Sequence, residues 1–128
     1  IDVREANFAR QLTFFSDYED WFILPRQRED SRTGWLAFPL TIRKGAPFER
    51  REMQLWLEKR DIQTRPVFTG NILRQPAMQS IACKVDPSGY PVADAVMRGG
   101  VLLACHHGLE DAQIDYMYET FRTFAGRF

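Results

Sequence analysis

The chain has 128 residues, of which 45% are hydrophobic and 13% aromatic, and its 17 basic side chains are balanced by 17 acidic ones. That length supports one hydrophobic core and is too short for two, so we interpret residues 1–128 as a single domain. Proteins that bind nucleic acid or anionic membranes carry a basic excess, and a membrane span needs an apolar run of roughly 20 residues. The sequence has neither feature, so it predicts no nucleic acid and no membrane partner, and with no signal-peptide pattern it predicts a cytoplasmic protein.

The first third of the chain predicts a helix and then a strand. Apolar residues recur at helical spacing from Phe8, which predicts a helix over about residues 2–16. A strand is predicted from Trp35, in the stretch "WLAFPLTIR", because aromatic and β-branched residues dominate it. Pro39 cannot donate a ladder hydrogen bond, so this strand is predicted to lie at an edge or to contain a bulge.

A second helix is predicted in "APFERREMQLWLEKRD", with Pro47 in its first turn. Met53, Trp56 and Leu57 form its apolar stripe. A short strand, "IQTR", is predicted directly after it.

Three shorter features are predicted next. The stretch "SIACKV", residues 80–85, predicts a strand fragment, and Asp86–Gly89 has the composition of a turn. The stretch "PVADAVMRG" predicts a short helix that ends at Gly99-Gly100, where glycine would take the left-handed cap conformation.

The chain is predicted to end with a buried strand, "VLLAC", and a long amphipathic helix that starts near Asp111. Short strands separated by helices predict an α+β fold, in which helices cover one side of a sheet of three or four mainly antiparallel strands.

Few residues in the sequence are candidates for catalysis. Cys105, His106 and His107 are consecutive, but adjacent strand residues point to opposite faces, and zinc sites need three or four ligands at recognisable spacing. A histidine that hydrogen-bonds at the start of the last helix is the favoured interpretation. None of the three lysines lies in an apolar setting that would favour a Schiff base, and no serine triad or phosphate-binding loop is present.

The stretch "DIQTRPVFTGNILRQP" is the richest in binding chemistry. Arg65 and Arg74 offer guanidinium groups that match phosphate or carboxylate, Asn71 and Gln75 offer amides, and Phe68 can stack on a ring. The alternative is an ordered surface loop whose arginines pair with local carboxylates.

With these motifs the chain resembles the DegT/StrS-type nucleotide-sugar aminotransferases, which are pyridoxal-phosphate (PLP) enzymes of fold type I. The resemblance spans the chain and is carried by Phe38-Pro39, the helix over residues 50–57, Ile62–Pro66, Gln75-Pro76 and "CHHGLEDAQIDYM". It implies that residues 1–128 are the small C-terminal domain and that the large PLP-binding domain lies outside them. Within the family, "RPVFTGNILRQP", "FPLTIRKGAPF" and "CHHGL" are most similar to the CDP-4-keto-6-deoxyglucose 3-dehydrase branch of lipopolysaccharide biosynthesis.

The resemblance implies an enzyme that uses pyridoxamine phosphate (PMP) to remove the 3-hydroxyl of a CDP-4-keto-6-deoxy sugar. It implies a homodimer, a [2Fe-2S] cluster in the absent domain and a flavin or iron–sulfur reductase as partner. No catalytic residue is expected in this chain. The expected substrate-binding residues are Arg65, Phe68, Asn71, Arg74, Gln75 and His107. Two alternatives stay open: a PLP-dependent sugar aminotransferase, and a non-catalytic assembly or dimerisation domain.

Overall fold

The structure, a computed structural model, describes all of residues 1–128 and contains four helices and four strands. The helices are α1 (Asp2–Ser16), α2 (Arg50–Glu58), α3 (Pro91–Gly99) and α4 (Asp111–Ala125). The strands are β1 (Phe22–Ile23), β2 (Ala37–Ile42), β3 (Arg65–Pro66) and β4 (Gly100–Ala104). Two short 3-10 turns, Ile72–Arg74 and Pro76–Met78, follow β3. None of the helices is both long enough and apolar enough to span a membrane.

The strands form one antiparallel sheet in the order β1-β2-β4-β3. The central pair runs from Ala37 opposite Ala104 to Thr41 opposite Gly100. At one edge, β3 pairs only with Val101 and Leu102 of β4. The predicted α+β fold with a small antiparallel sheet is confirmed.

Pro39 lies in a central strand, so the predicted edge position of that strand is wrong. The proline is nevertheless accommodated, because β1 pairs only with Thr41 and Ile42. Pro39 itself has a strand partner on one side only, Leu102 of β4, and its missing N–H leaves no gap in a ladder on the β1 side.

An aromatic core lies between one face of the sheet and helices α1, α2 and α4. Phe38, Leu40 and Ile42 alternate along β2 toward this face and are buried. Phe15 of α1 and Phe121 of α4 meet there edge-on, with ring centroids 5.1 Å apart. Burying each such side chain stabilises the fold by about 1.5–3 kcal/mol. The core holds β2 and β4 rigidly, and the loops at their ends carry the candidate site.

Residues 80–85 do not form a strand, so that prediction is wrong. Ile81 and Val85, the two β-branched residues of this stretch, are 53% and 49% exposed. A strand requires a neighbour for its backbone hydrogen bonds, and this segment pairs with none of the four strands. The turn over Asp86–Gly89 is confirmed by the bond from the Gly89 N–H to the Asp86 carbonyl, 2.9 Å.

Helix α3 ends at Gly99 as predicted, but for a different reason. Gly100 has φ −72° and Gly99 has no positive φ, so neither glycine takes the left-handed conformation. A Cβ added at Gly99 would lie 2.5 Å from the Ile42 carbonyl oxygen. The small residue is required because the end of α3 packs directly on the backbone of β2. Pro47 is also displaced from its predicted position, since it precedes α2, whose N-cap is Glu49.

Candidate functional site

The segment that follows β3 starts from a buried threonine. Thr64 is 1% exposed, and its hydroxyl donates to Glu58 Oε1 at 2.6 Å and accepts from Gln54 Nε2 at 3.0 Å. Glu58 and Gln54 belong to α2, so this helix fixes the point at which the chain enters β3.

Residues 67–75, which we call the aromatic loop, begin with a tight turn. The Gly70 N–H donates to the Val67 carbonyl at 3.1 Å, and Phe68 within the turn has φ 44°, which is rare for a bulky residue. Gly70 has φ 66°, and a Cβ added there would lie 2.3 Å from Cβ of Met97 in α3. Only glycine fits this position, because the turn packs closely against α3. The Phe68 side chain remains in solvent, and the residue is 88% exposed.

A carboxylate of α3 holds the second half of the aromatic loop. Asp94 Oδ1 accepts from Asn71 Nδ2 at 2.7 Å and from Arg74 Nε at 3.0 Å, and its Oδ2 accepts from Arg74 Nη2 at 2.8 Å. Arg74 and Asn71 together hold the pKa of Asp94 at about 2, so this carboxylate is charged at neutral pH. We call these three residues the Asp94 clamp.

The predicted site residues in β3 and the aromatic loop differ in how free they are to bind a ligand. Asn71 is 5% exposed and also accepts from the Leu73 N–H at 3.1 Å, so its amide is used inside the protein. Gln75 Nε2 donates to the Thr69 carbonyl at 3.2 Å. Arg65 donates to the adjacent Thr64 carbonyl at 3.2 Å and has no carboxylate partner. The alternative interpretation, local pairing with a carboxylate, therefore holds for Arg74 and does not hold for Arg65.

A cleft of about 650 Å³ lies at the β3 edge of the sheet, beside the C-terminal end of β4. Residues 61–63, the end of β4 and the first half of α4 form its walls, and we call it the α4 cleft. Its polar lining residues are Asp61, Gln63, Arg65, His106, Gln113 and Tyr116. The rest is mainly apolar: Leu36, Ala37, Ile62, Leu102, Leu103, Ala104, Leu109, Ala112, Ile114 and Met117. A mostly apolar cleft with a few polar groups is the usual form of a ligand site.

The two histidines lie just beyond β4. His106 lines the α4 cleft, and its Nδ1 accepts from the Gly108 N–H at 3.2 Å. This bond stands in the turn before α4, whereas the helix start itself is capped by Gln113 Oε1, which accepts from the Glu110 N–H at 2.9 Å. The predicted histidine bond at the start of the last helix is therefore not formed, because the His106 bond lies within the turn that precedes the helix. His107 is exposed.

The structure separates His107 from the aromatic loop. The loop adjoins the start of β4, because a Cβ added at Gly100 would lie 2.9 Å from Val67 Cγ2. His107 follows the other end of the strand, and the four steps from Gly100 to Ala104 alone span about 13 Å at 3.3 Å per residue. Phe68, Asn71, Arg74 and Gln75 are thus grouped at one end of β4, and His107 lies at the other.

The residues of this chain do not fit a PLP site by themselves. Lys44, Lys59 and Lys84 are all exposed, and none lines the α4 cleft, where a Schiff-base lysine would need a desolvated position. Cys83 is exposed and Cys105 is buried, and burial raises the pKa of the Cys105 thiol to about 11. No group of three or more histidine, cysteine, aspartate or glutamate side chains is arranged to hold a metal ion.

Sequence reasoning missed two residues that organise the site, Asp94 and Thr64. Asp94 lies within the short predicted helix, but its partners Asn71 and Arg74 are 23 and 20 positions away in the chain. No periodic signal connects residues at that separation.

Comparison with known proteins agrees with the fold and the motifs. The DegT/DnrJ/EryC1/StrS aminotransferase family model matches residues 1–122. The lipopolysaccharide biosynthesis protein RfbH of Salmonella typhimurium is 27% identical over 126 residues, which are 98% of this chain and 29% of RfbH. The dTDP-4-dehydro-2,6-dideoxy-D-glucose 3-dehydratase of Saccharopolyspora spinosa is 31% identical over 111 residues, 82% of this chain and 22% of that protein.

Solved structures share the architecture. The Escherichia coli GDP-4-keto-6-deoxy-D-mannose-3-dehydratase with bound hydrated PLP superposes with a TM-score of 0.79 and 24% identity, covering 93% of this chain and 30% of that one. The chain therefore spans less than a third of the length of each of these three relatives. Because the family match covers nearly the whole sequence, this chain belongs to the DegT/DnrJ/EryC1/StrS aminotransferase family.

Proposed function

We propose that residues 1–128 are the C-terminal small domain of a nucleotide-sugar 3-dehydratase that uses PMP or PLP. Its reaction would remove the 3-hydroxyl of a CDP-4-keto-6-deoxy sugar in deoxysugar and lipopolysaccharide biosynthesis, in the cytoplasm. The observation that carries the proposal is the match to RfbH over 98% of the chain, together with the 31% identity to a sugar 3-dehydratase.

In this proposal the aromatic loop binds the nucleotide part of the substrate. Arg65, which lies in β3 directly before the loop and has no carboxylate partner, would pair with the diphosphate, and the exposed ring of Phe68 would stack on the base. Arg74 bonds to Asp94 through Nε and Nη2, so its Nη1 stays free for a second anion contact. Gln75 would supply an amide.

Asn71 and His107 complete the proposed set in different ways. Asn71 is buried with both sides of its amide bonded, so it would act through the shape of the loop. His107 would approach the substrate or a second subunit from the other end of β4, which suits a homodimer whose site forms between subunits.

The remainder of the parent protein would hold the cofactor, because the lysines here are exposed and lie outside the cleft. The same holds for the proposed [2Fe-2S] cluster, since the two cysteines cannot supply its ligands. A flavin or iron–sulfur reductase would then be the partner that delivers electrons to the parent enzyme.

An aminotransferase is the second candidate, since the matching family model is that of an aminotransferase family. A non-catalytic assembly or dimerisation domain is the third, and the exposed apolar side chains of Ile72 (58%) and Val92 (76%) favour it.

Product analysis with the full-length protein separates these candidates. The protein would be incubated with PMP, CDP-4-keto-6-deoxyglucose, L-glutamate and a flavin iron–sulfur reductase, with NADH as the electron donor, and the products identified by mass spectrometry. We expect a 3-deoxy sugar. An amino sugar would instead establish the aminotransferase, and an unchanged substrate would leave the assembly role as the better explanation.

A further inference from the structure

The exposed aromatic tip of the loop is held in an unfavourable state. Phe68 has a left-handed backbone, φ 44°, which costs about 1–2 kcal/mol in a residue with a Cβ. Its ring gains almost nothing in return, because the residue is 88% exposed and has no aromatic partner within the chain. A strained residue of this kind persists only where its surroundings impose the conformation.

Two contacts with α3 impose that conformation. The first contact is two residues after Phe68, where Gly70 packs against Met97 and prevents the turn from moving closer to the helix. The second contact involves the residues that follow. The Asp94 carboxylate accepts one hydrogen bond from Asn71 and two from the guanidinium group of Arg74, which binds it in a bidentate manner. Charge-assisted bidentate pairs are the most directional hydrogen bonds available to side chains.

The Asp94 clamp is partly exposed to solvent, which limits how much it can contribute to the stability of the fold. The Arg74 side chain is 63% exposed and the Asp94 side chain 35%, and exposed ion pairs contribute little to global stability. Three directional bonds that add little stability, next to a strained and exposed ring, indicate a function in orientation.

We propose that Asp94 is a positioning residue, which holds the aromatic loop so that Phe68 stands out from the surface as a preformed stacking platform for the base of a nucleotide. The proposal rests on the proposed nucleotide-sugar function, and it assigns Asp94 no contact with the substrate. A preformed platform loses less conformational entropy when the ligand binds than a mobile loop would.

A double-mutant cycle in the full-length enzyme tests whether Asp94 acts through Phe68. The variants are Asp94→Ala, Phe68→Ala and the double variant, and Arg98→Ala, an exposed residue on the same helix, is the control. Four nucleoside diphosphates (CDP, UDP, GDP and dTDP) are titrated by calorimetry, and the one that wild type binds most tightly is then used with every variant.

We expect Phe68→Ala to weaken nucleotide binding about tenfold, the loss of one base–aromatic stack, and Asp94→Ala to weaken it about fivefold. Because both changes remove the same contact, the double variant should also show about a tenfold loss, not the fiftyfold product of independent effects. Arg98→Ala should bind like wild type. A multiplicative loss in the double variant would mean that Asp94 does not act through Phe68.

Inorganic pyrophosphate, titrated in parallel, separates base stacking from binding of the phosphates. Its affinity should be the same in wild type and Phe68→Ala. An equal loss of pyrophosphate and nucleotide binding in Phe68→Ala would reject the platform, and so would a wild-type enzyme that binds no nucleotide. In turnover assays KM for the nucleotide sugar should rise while kcat stays within about twofold.

These measurements keep the two proposals apart. An enzyme that makes an amino sugar disproves the dehydratase, but it leaves the cycle interpretable, since the cycle measures nucleotide binding. Additive binding energies disprove the role of Asp94 and leave the dehydratase standing.

Discussion

Two glycines, Gly70 and Gly89, share a positive φ and differ in their surroundings. Gly70 has φ 66° and faces Met97 at a distance that excludes a Cβ, whereas Gly89 has φ 73° and no atom within 4 Å of the position that a Cβ would take. At both positions any other residue would be destabilised by the left-handed backbone conformation. At Gly70 alone, the added side chain would also clash with Met97.

Alanine substitutions separate these two costs. Gly89→Ala should lower the free energy of unfolding by about 1 kcal/mol, the cost of a left-handed alanine. Gly70→Ala should lower it by about 2–4 kcal/mol, because Met97 must also move. Urea unfolding of both variants provides the measurement. Equal losses of unfolding free energy would show that the loop accommodates the added methyl group without strain.

Phe38 and Phe68 are residues of the same type in opposite environments, one buried and one exposed. Phe38 has 0% of its surface exposed and stacks with Phe15 at a centroid distance of 5.7 Å, while Phe68 is 88% exposed. Phe38→Ala should cost about 3–5 kcal/mol of unfolding free energy, and Phe68→Ala less than about 0.5 kcal/mol. Thermal and urea unfolding measure both. A large stability loss in Phe68→Ala would show that its ring packs against this chain and would argue against a binding role.

At the scale of elements, helix α3 connects the aromatic loop to the sheet. Gly99 is its only fully buried residue, and Ala95, Val96 and Met97 are half-buried. Polar contacts hold both ends of the helix: the Asp94 clamp lies near its start, and Arg50 of α2 donates to the Met97 and Gly100 carbonyls at its end, at 2.8 and 3.3 Å. The helix therefore relays the position of α2 to the loop.

Removing Arg50 should loosen α3. Arg50→Ala leaves two partly buried carbonyls at the helix end without their donor, and we expect a loss of about 1–2 kcal/mol with faster amide exchange in residues 91–99. The neighbouring Arg51 is exposed and makes no side-chain hydrogen bond, so Arg51→Ala is the control and should change neither quantity. Urea unfolding and hydrogen exchange test the pair. If both variants behave alike, the carbonyl bonds do not hold the helix.

The Asp94 clamp should make a small, pH-dependent contribution to stability, because its ion pair is partly exposed. The pKa of Asp94 is lowered from 3.8 to about 2 by Arg74 and Asn71, so the folded state favours the charged carboxylate. Its contribution is fully present above pH 3.8 and is lost as the pH falls through about 2. Asp94→Asn should therefore be less stable than wild type at pH 6, and the difference should shrink between pH 4 and pH 2.

Urea midpoints across that range give the measurement. Asp20→Asn changes an exposed carboxylate with no ion-pair partner and should match wild type throughout. A gap between wild type and Asp94→Asn that is as wide at low pH as at pH 6 would contradict the assignment.

At the scale of the whole molecule, one aromatic core supports two separate surfaces at the ends of β4. The aromatic loop adjoins Gly100, and the α4 cleft lies near Ala104 and His106. Neither surface contains a lysine or a metal-binding cluster. Without a lysine, neither surface can form a Schiff base with PLP.

We therefore expect the isolated residues 1–128 to bind no PLP. Titration with PLP, followed by visible absorbance, should show no saturable spectral shift, whereas the full-length parent protein should show one. Circular dichroism of the isolated chain serves as the control that it is folded. A saturable shift in the folded, isolated chain would mean that it contains a cofactor site.

Much of the fold was predictable because its signals are local. Helices α1 and α4 follow from apolar residues at helical spacing, β2 follows from aromatic and β-branched residues, and β4 follows from a short apolar run. The predicted strand over residues 80–85 does not form, although Ile81, Cys83 and Val85 alternate with other residues as in a strand. Alternation indicates which side chains a strand would bury. It does not indicate whether a neighbouring strand is available to form the backbone hydrogen bonds.

The sequence by itself determined the secondary structure of the core, the turn at Asp86–Gly89 and the family of the chain, since each depends on residues close together in the sequence or on motifs read in order. Only the tertiary structure decided that Asp94 holds Asn71 and Arg74, that Gly99 is small because it packs against Ile42, and that His107 lies away from the aromatic loop. The first two are contacts between residues about 20 to 60 positions apart. Such long-range contacts, and the separation of His107 from the loop, depend on how the helices and strands pack and leave no periodic trace in the sequence.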